Sequence, residues 1–348
     1  MIQLLSQKKV RIKSPGKINL HLAIGGKRPD GFHDLESIFA ALDFSDTLIF
    51  SSLGGNNGKI SLRMKAAGPF LELSRRYGQV FEDISPEKNL VYRAMELFHR
   101  KTGYSGDTSV SIIKRIPPGS GMGGGSSNAA SALIAMNTLG AAAGAAGTFG
   151  TAKVSVAPGG LLSQGELRDL GAELGSDIPF FVETGFAGAA SGGVPAAWVS
   201  GRGERIRVLS PPPPLGILLA FPGFGSHTGA AYGLLDRFRK DPPPPVFPQD
   251  FLLNGKWPLP ETWDFSNDFL GLFLDHGTDR ERASYRSILE DFKRTGAVFS
   301  GLSGSGSACF AVFKTPKDAA AAKNRLRKAP YALQETFFLA SVIKQGVQ

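Results

Sequence analysis

The sequence predicts an α+β fold, and three observations carry that reading. Residues 17–24, KINLHLAI, alternate strictly: Ile18, Leu20, Leu22 and Ile24 share one face of an extended chain, and Lys17, Asn19 and His21 share the other. Residues 126–139 repeat instead at helical spacing, with Ala129, Ala132, Leu133, Met136 and Leu139 in one stripe. Segments of both kinds are interspersed without the regular alternation that a parallel βαβ sheet requires.

The other elements follow in chain order. Residues 54–58, GGNNG, read as a turn, and the β-branched run VSIIKRI at 110–116 as a strand. Residues 140–160 are rich in Ala and Gly and too poor in large side chains to hold a core of their own. Ser163 and Glu166 have capping-box spacing; the helix they open carries Leu167, Leu170 and Leu174 on one face, and Gly175 ends it. Residues 216–221 (GILLAF) and 308–313 (ACFAVF) read as buried strands, and 317–328 as a basic amphipathic helix. Four-proline runs at 211–214 and 242–245 favour stiff, extended connections. The first marks a boundary between an N-terminal domain over 1–208 and a C-terminal domain over 209–348, and the second belongs to a surface insertion.

Composition narrows the function class. A chain of 348 residues has room for two domains, each of roughly 150 residues. Its 42% hydrophobic and 20% charged residues describe an ordinary globular protein. No apolar run approaches the ~18 residues of a membrane span, and MIQLLSQKKVRIKSPGK has charges where a signal peptide needs its apolar stretch. The one cysteine, Cys309, excludes an intramolecular disulfide and a cysteine-clustered metal site. A cytoplasmic location is therefore expected. The net charge of +9 favours anionic partners. No Lys/Arg block interleaves with aromatics as in a nucleic-acid binder, and phosphorylated small molecules gain equally from a positive field.

The chemistry centres on residues 117–130, PPGSGMGGGSSNAA, which lie between the 110–116 strand and the 126–139 helix. Glycines let the backbone approach phosphate oxygens, and free N–H groups of the first helical turn point at the anion. Pro117, Pro118, Gly119, Ser120, Gly121, Met122, Gly123, Gly124, Gly125, Ser126 and Ser127 are thus the expected phosphate-binding residues, the serines capping the helix or offering hydroxyls to a phosphate or its Mg²⁺. Three other phosphate loops do not fit. A Walker loop needs a lysine at the helix entrance, where Ser126 stands. A dinucleotide fold needs an acidic residue ~20 positions on, and none lies between Asp107 and Glu166. A protein kinase needs HRD and DFG motifs, which are absent.

This loop resembles the second signature of the GHMP kinases, the superfamily of galactokinase, homoserine kinase and mevalonate kinase. SPGKINL at 14–20, DGFH at 30–33 and GSDIPFF at 175–181 are similar to segments of its 4-diphosphocytidyl-2-C-methyl-D-erythritol kinase family, and LSGSGSACF at 302–310 resembles the third GHMP motif. The resemblance implies a two-domain fold with the active site in the interdomain cleft. It also implies MgATP as phosphoryl donor and the 2-hydroxyl of 4-diphosphocytidyl-2-C-methyl-D-erythritol as acceptor, in non-mevalonate isoprenoid precursor biosynthesis.

Residue by residue, the resemblance makes Asp177 the base and Lys17 the active-site lysine, with Asn19 a substrate contact. A lone strand lysine is ordinarily solvated, and an Asp before Ile-Pro ordinarily stabilises its turn; the matched strings give both their chemical reading. Phe32 and His33 are matched to the cytosine-binding segment, with Phe32 standing where the family often has tyrosine; stacking survives without a phenol hydroxyl. Thr228 and Tyr232 are offered by the segment 222–232, so Phe32 and Tyr232 are expected to clamp the base. Pro15-Gly16-Lys17 replaces the more frequent Pro-Ala-Lys. Another acceptor within the superfamily, and an inert ligand-binding regulator, stay open at this point, as do oligomeric state and metal ligands.

Overall fold

The computed structural model describes residues 2–6, 8–77, 86–145, 161–190, 196–239 and 256–339. Most of the Ala/Gly-rich stretch and the whole second proline run lie outside these. Seven strands form the first sheet: β1 (Ile2–Ser6), β2 (Lys9–Lys27), β3 (His33–Ser52), β4 (Ile60–Ala66), β5 (Thr108–Lys114), β6 (Ala196–Gly201) and β7 (Arg205–Val208). Their order is β1-β2-β3-β5-β4, with β6 beside β3 and β7 beside β6. Besides β2, the long β3 serves two partners: Leu35–Ala40 pair with β6 and Thr47–Ser52 with β5. All pairings are antiparallel except β4 with β5.

The predicted strand at 17–24 lies inside β2, and both its faces are buried. Ile18 and Leu20 pack in one core with Ile217, Leu219 and Phe310 of the second half of the chain. The opposite face, with Lys17, Asn19 and His21, is also shielded from water. Register shifts between Pro15 and Lys17 and between Asn19 and His21 break the β2–β3 ladder; such bulges re-aim side chains.

After β4 comes α1 (Gly68–Tyr77), and the first sheet is covered by α2 (Leu90–Thr102), α3 (Gly124–Ala145), α4 (Gln164–Leu174) and α5 (Ile178–Ala190). In α3 the expected stripe is buried, but so are Ala130, Ile134 and Ala135. The helix is enclosed because alanines let α2, α5 and β2 approach it from several sides. The Ser163–Glu166 capping box is formed at α4, and Gly175 ends the helix with an extended φ of 173°, its N–H donating to Gly171 O.

The second sheet contains β8 (Gly216–Phe221), β9 (Phe299–Leu302), β10 (Cys309–Phe313) and β11 (Ala332–Phe337) in the antiparallel order β11-β8-β10-β9. It packs with α6 (Thr228–Phe238), α7 (Asp268–His276), α8 (Asp279–Arg294) and α9 (Pro316–Arg325). The basic helix expected over 317–328 thus ends three residues early. The first proline run, 211–214, is irregular chain between the sheets. The halves are stitched where Leu22 N–H donates to Ser266 O and Ile24 N–H to Asp268 Oδ2. Among the described residues no helix is long and apolar enough to cross a membrane.

Candidate active site

The glycine-rich loop enters from β5 and runs into α3, as the sequence order requires. Gly119, Gly121 and Gly123 take φ of 65°, 72° and 65°, the left-handed region that L side chains disfavour. At Gly121 a Cβ would also run into Ser303 O. The loop is tied to the second half of the chain: Gly119 O accepts from Ser226 N–H (2.8 Å) and Ser307 N–H (3.1 Å), and Ser120 O from Ala308 N–H (3.1 Å). The second and third resembling motifs are therefore one backbone structure.

At the mouth of this loop, Lys17 of β2 meets Asp177 at the turn before α5. Nζ lies 3.7 Å from Asp177 Oδ2 and donates to Asn19 Oδ1 at 2.5 Å. Asn19 Nδ2 donates to Ser37 Oγ (2.9 Å), which donates to His21 O (2.6 Å). The ammonium also stands 4.5 Å over the Phe39 ring. Burial lowers the Lys17 pKa, opposed by the Asp177 charge and hydrogen bond. The Lys17 side chain is 4% exposed and that of Asp177 26%.

Farther along, Phe32 is 54% exposed and has the Arg202 guanidinium 4.8 Å from its ring centre. Tyr232 of α6 stacks on His33 (5.0 Å, 25°) and meets Phe269 edge-on. No ring contact joins Phe32 to Tyr232 among the described residues, so the two do not touch in the arrangement a closed clamp would give. Burial, with the Asp177 charge adding to it, pushes the Tyr232 phenol up to about 12. Thr228 Oγ1 is 3.2 Å from Ser305 Oγ.

These residues line one cleft of about 1280 Å³, more than the roughly 300–1,000 Å³ of a single small-ligand pocket. Lys17, Asn19, Phe32, His33, Pro117 to Ser126, Asp177, Thr228 and Tyr232 all face it. Ser127 does not: its hydroxyl is buried 2.7 Å from Ser14 Oγ. Several lining residues escaped the sequence reading. Lys114 forms an ion pair with fully buried Asp46, which also accepts from Arg115 N–H (2.6 Å) and Ile116 N–H (2.9 Å). Asn89 caps α2. Asn128 Oδ1 is buried without a hydrogen-bond partner among the described residues. Asp236, one turn after Tyr232, bonds Lys27 and His33. The β5 lysine and the residue after Ser126-Ser127 sit in quoted motifs and were legible by position; Asp236 carried no local signal.

Comparison with known proteins agrees with this geometry. Residues 89–185 match the GHMP kinases N terminal domain and residues 251–332 the GHMP kinases C terminal domain. The chain is 30% identical over 324 residues to 4-diphosphocytidyl-2-C-methyl-D-erythritol kinase of Treponema pallidum (strain Nichols), covering 91% of this chain and 94% of that one. The Chlorobium phaeobacteroides (strain BS1) enzyme of the same name is 30% identical over 332 residues, covering 94% and 98%. A crystal structure of 4-(cytidine 5'-diphospho)-2C-methyl-D-erythritol kinase superposes with a TM-score of 0.63 at 27% identity, covering 94% and 99%. A mevalonate kinase superposes with a TM-score of 0.54 at 12% identity over 94% and 99%, a likeness of fold alone. With both halves matched and relatives aligned along nearly its whole length, the chain belongs to the 4-diphosphocytidyl-2-C-methyl-D-erythritol kinase family of the GHMP kinases.

Proposed function

We propose that this chain transfers the γ-phosphoryl group of ATP to the 2-hydroxyl of 4-diphosphocytidyl-2-C-methyl-D-erythritol, a step toward isoprenoid precursors. The observation that carries this reading is the Lys17–Asp177 pair at 3.7 Å, set between a glycine cradle and an aromatic, histidine-bearing end of one cleft. A carboxylate, a cation and a bed of backbone N–H groups are what in-line phosphoryl transfer asks of a protein.

The groups present fit a nucleotide. The left-handed glycines open the backbone for close approach of phosphate, α3 presents its N-terminus there, and the orphaned Asn128 Oδ1 is an acceptor for a ligand N–H. For Mg²⁺, no group of three or more His, Cys, Asp or Glu stands ready among the described residues. An ion carried mainly by phosphates and water needs only one or two protein oxygens, and the Ser126 hydroxyl lines the cleft. When bound, MgATP supplies the phosphoryl group and neutralises charge on its oxygens.

The chain's own part is positioning and proton transfer. Asp177 Oδ2 takes the proton of the acceptor hydroxyl as that oxygen bonds to phosphorus and the bond to the departing diphosphate breaks. Lys17, 3.7 Å from Asp177 Oδ2, orients the same hydroxyl. Asn19, fixed through Ser37, fixes Lys17. Phe32 offers a face for the cytosine, and His33 its ring nitrogens. We place the division between the two lobes after Val208, supported by the end of β7 there and the start of β8 at Gly216. A cytoplasmic setting suits phosphorylated substrates and the one free, buried thiol, Cys309. The test is ATP consumption with the cytidine-diphosphate methylerythritol, alongside sugar, homoserine and mevalonate acceptors. Turnover of the cytidine substrate alone supports the reading, and preference for another acceptor removes it.

A further inference from the structure

Asp236 projects from α6 into the cleft and bonds two residues of the first half of the chain. Its Oδ1 is 2.8 Å from His33 Nε2, and its Oδ2 accepts from Lys27 Nζ at 2.7 Å. One turn earlier on the same helix, Tyr232 covers a face of the His33 imidazole. The ring is thus held in plane by a stack and in rotation by a hydrogen bond. Its side chain is 5% exposed.

The chemistry of the partners settles which way that bond runs. The Lys27 hydrogen bond, foremost, holds the Asp236 carboxyl below the usual carboxylate range, and an ionised carboxylate only accepts. Nε2 must therefore donate. In the neutral ring the single proton is thereby placed on Nε2, and Nδ1 keeps its lone pair. His33 lines the cleft, and among the described residues its ring-nitrogen hydrogen bond is the one at Nε2.

We propose that Asp236 is a positioning residue for base selectivity: it fixes the His33 tautomer whose Nδ1 accepts from the exocyclic amino group of cytosine. This rests on the cytidine-diphosphate reading above. Uracil carries a carbonyl where cytosine carries that amino group, so its O4 would face Nδ1 lone pair to lone pair, leaving both acceptors without a proton. Lys27 takes part by engaging the second carboxylate oxygen. An ammonium can only donate, so it also dictates how any amide placed at 236 must turn.

That last point gives a variant with an inverted outcome. In Asp236→Asn, Lys27 takes the amide oxygen and turns the NH₂ toward His33. Nε2 then accepts, and the proton moves to Nδ1. Long-range ¹H–¹⁵N correlation on labelled protein, assigned with His33→Gln, reads the tautomer directly. The wild type is expected to show Nε2–H and Asp236→Asn to show Nδ1–H. In kinetics, the kcat/KM preference for the cytidine substrate over its uridine analogue falls about tenfold in Asp236→Asn, the loss of one hydrogen bond's discrimination. The change lies in KM, with kcat on the cytidine substrate nearly unchanged. Adding Lys27→Met frees the amide to turn its oxygen to Nε2 and restores part of the preference. An Nδ1–H proton in the wild type, or an unchanged preference in Asp236→Asn, overturns the proposal. If the wild type turns over neither substrate, the kinase reading fails. The nitrogen assignment and the relative affinities of CMP and UMP in the two proteins then decide Asp236 by themselves.

Discussion

Lys17 and Asp177 face each other at 3.7 Å, and of the two only the aspartate has an appreciable path to solvent. On the proposed reading, the proton of a bound hydroxyl leaves through Asp177, while the buried Lys17 stays as a fixed charge. Asp177→Ala is expected to abolish phosphoryl transfer, losing at least the ~10²-fold that a positioned base contributes. ATP affinity, which the proposal assigns to the loop at 117–126, is expected to stay within a few-fold. Product formation in coupled assay and nucleotide titration measure the two separately. Retained turnover in Asp177→Ala would falsify its role as base.

Burial lowers the Lys17 pKa, with Asp177 opposing, and this has a definite pH signature. Below the lowered value, Lys17 is charged folded and unfolded, and its desolvation is a constant burden. Between that value and 10.5 the unfolded chain holds more proton than the folded one, so stability rises with pH. Wild type is thus expected to gain on Lys17→Met in urea-melt stability as pH climbs through that window. The alkaline limb of wild-type kcat/KM falls below the ordinary lysine range as the ammonium is lost. A flat stability difference across the window would contradict the burial argument.

Phe32 keeps one face covered by Arg202 and is otherwise open. A base stacked on it loses ~1–3 kcal/mol when the ring is removed, so Phe32→Ala raises the KM for the cytidine substrate by about tenfold or more. The KM for ATP and kcat change much less, because the ring touches neither reacting group. Initial-rate kinetics varying each substrate in turn make the check. An unchanged KM for the cytidine substrate sinks the stacking role.

Much of this site was legible because its chemistry is packed into short strings. SPGKINL, the glycine loop and GSDIPFF each hold local signals, and β2, α3 and α5 carry them to one cleft. The period-2 alternation of 17–24 was also right. What it concealed was that the polar face is buried, since alternation reports two different faces and not which of them meets water. The packing of α3 was underread for a related reason: small alanines look neutral in a stripe but allow neighbours on every side. Tyr232's stack on His33 and Asp236's hold on its Nε2 depend on α6 meeting β3 across the two sheets, and no window of sequence contains that meeting.

Asp46 is fully buried beneath the entrance to the loop, pairing with Lys114 and accepting from the backbone N–H groups of Arg115 and Ile116. Asp46→Ala strands a buried ammonium and two donors together. A loss on the order of 3–5 kcal/mol follows from breaking a buried pair, seen as a large drop in urea midpoint. Asp46→Asn, which can still accept from the backbone, falls between the two. Equal losses in both variants would show that the charge, and not the backbone contacts, carries the stability.

Gly121 and Gly271 make a matched pair of glycine tests. Gly121 has φ +72°, and a Cβ there would run into Ser303 O, an atom of backbone that cannot rotate away. Gly121→Ala must therefore push the 303–307 segment off the loop, and ATP affinity and stability are expected to fall together. Gly271 lies exposed inside α7, where a Cβ meets nothing within 4 Å. Gly271→Ala removes only the entropy that a helical glycine loses on folding, and gains about 0.5–1 kcal/mol with KM for ATP unchanged. Urea melts and nucleotide titration on both variants compare the same atom added at two places. If Gly121→Ala bound ATP as wild type does, the loop would be free of the 303–307 segment, and the shared cradle described above would not exist.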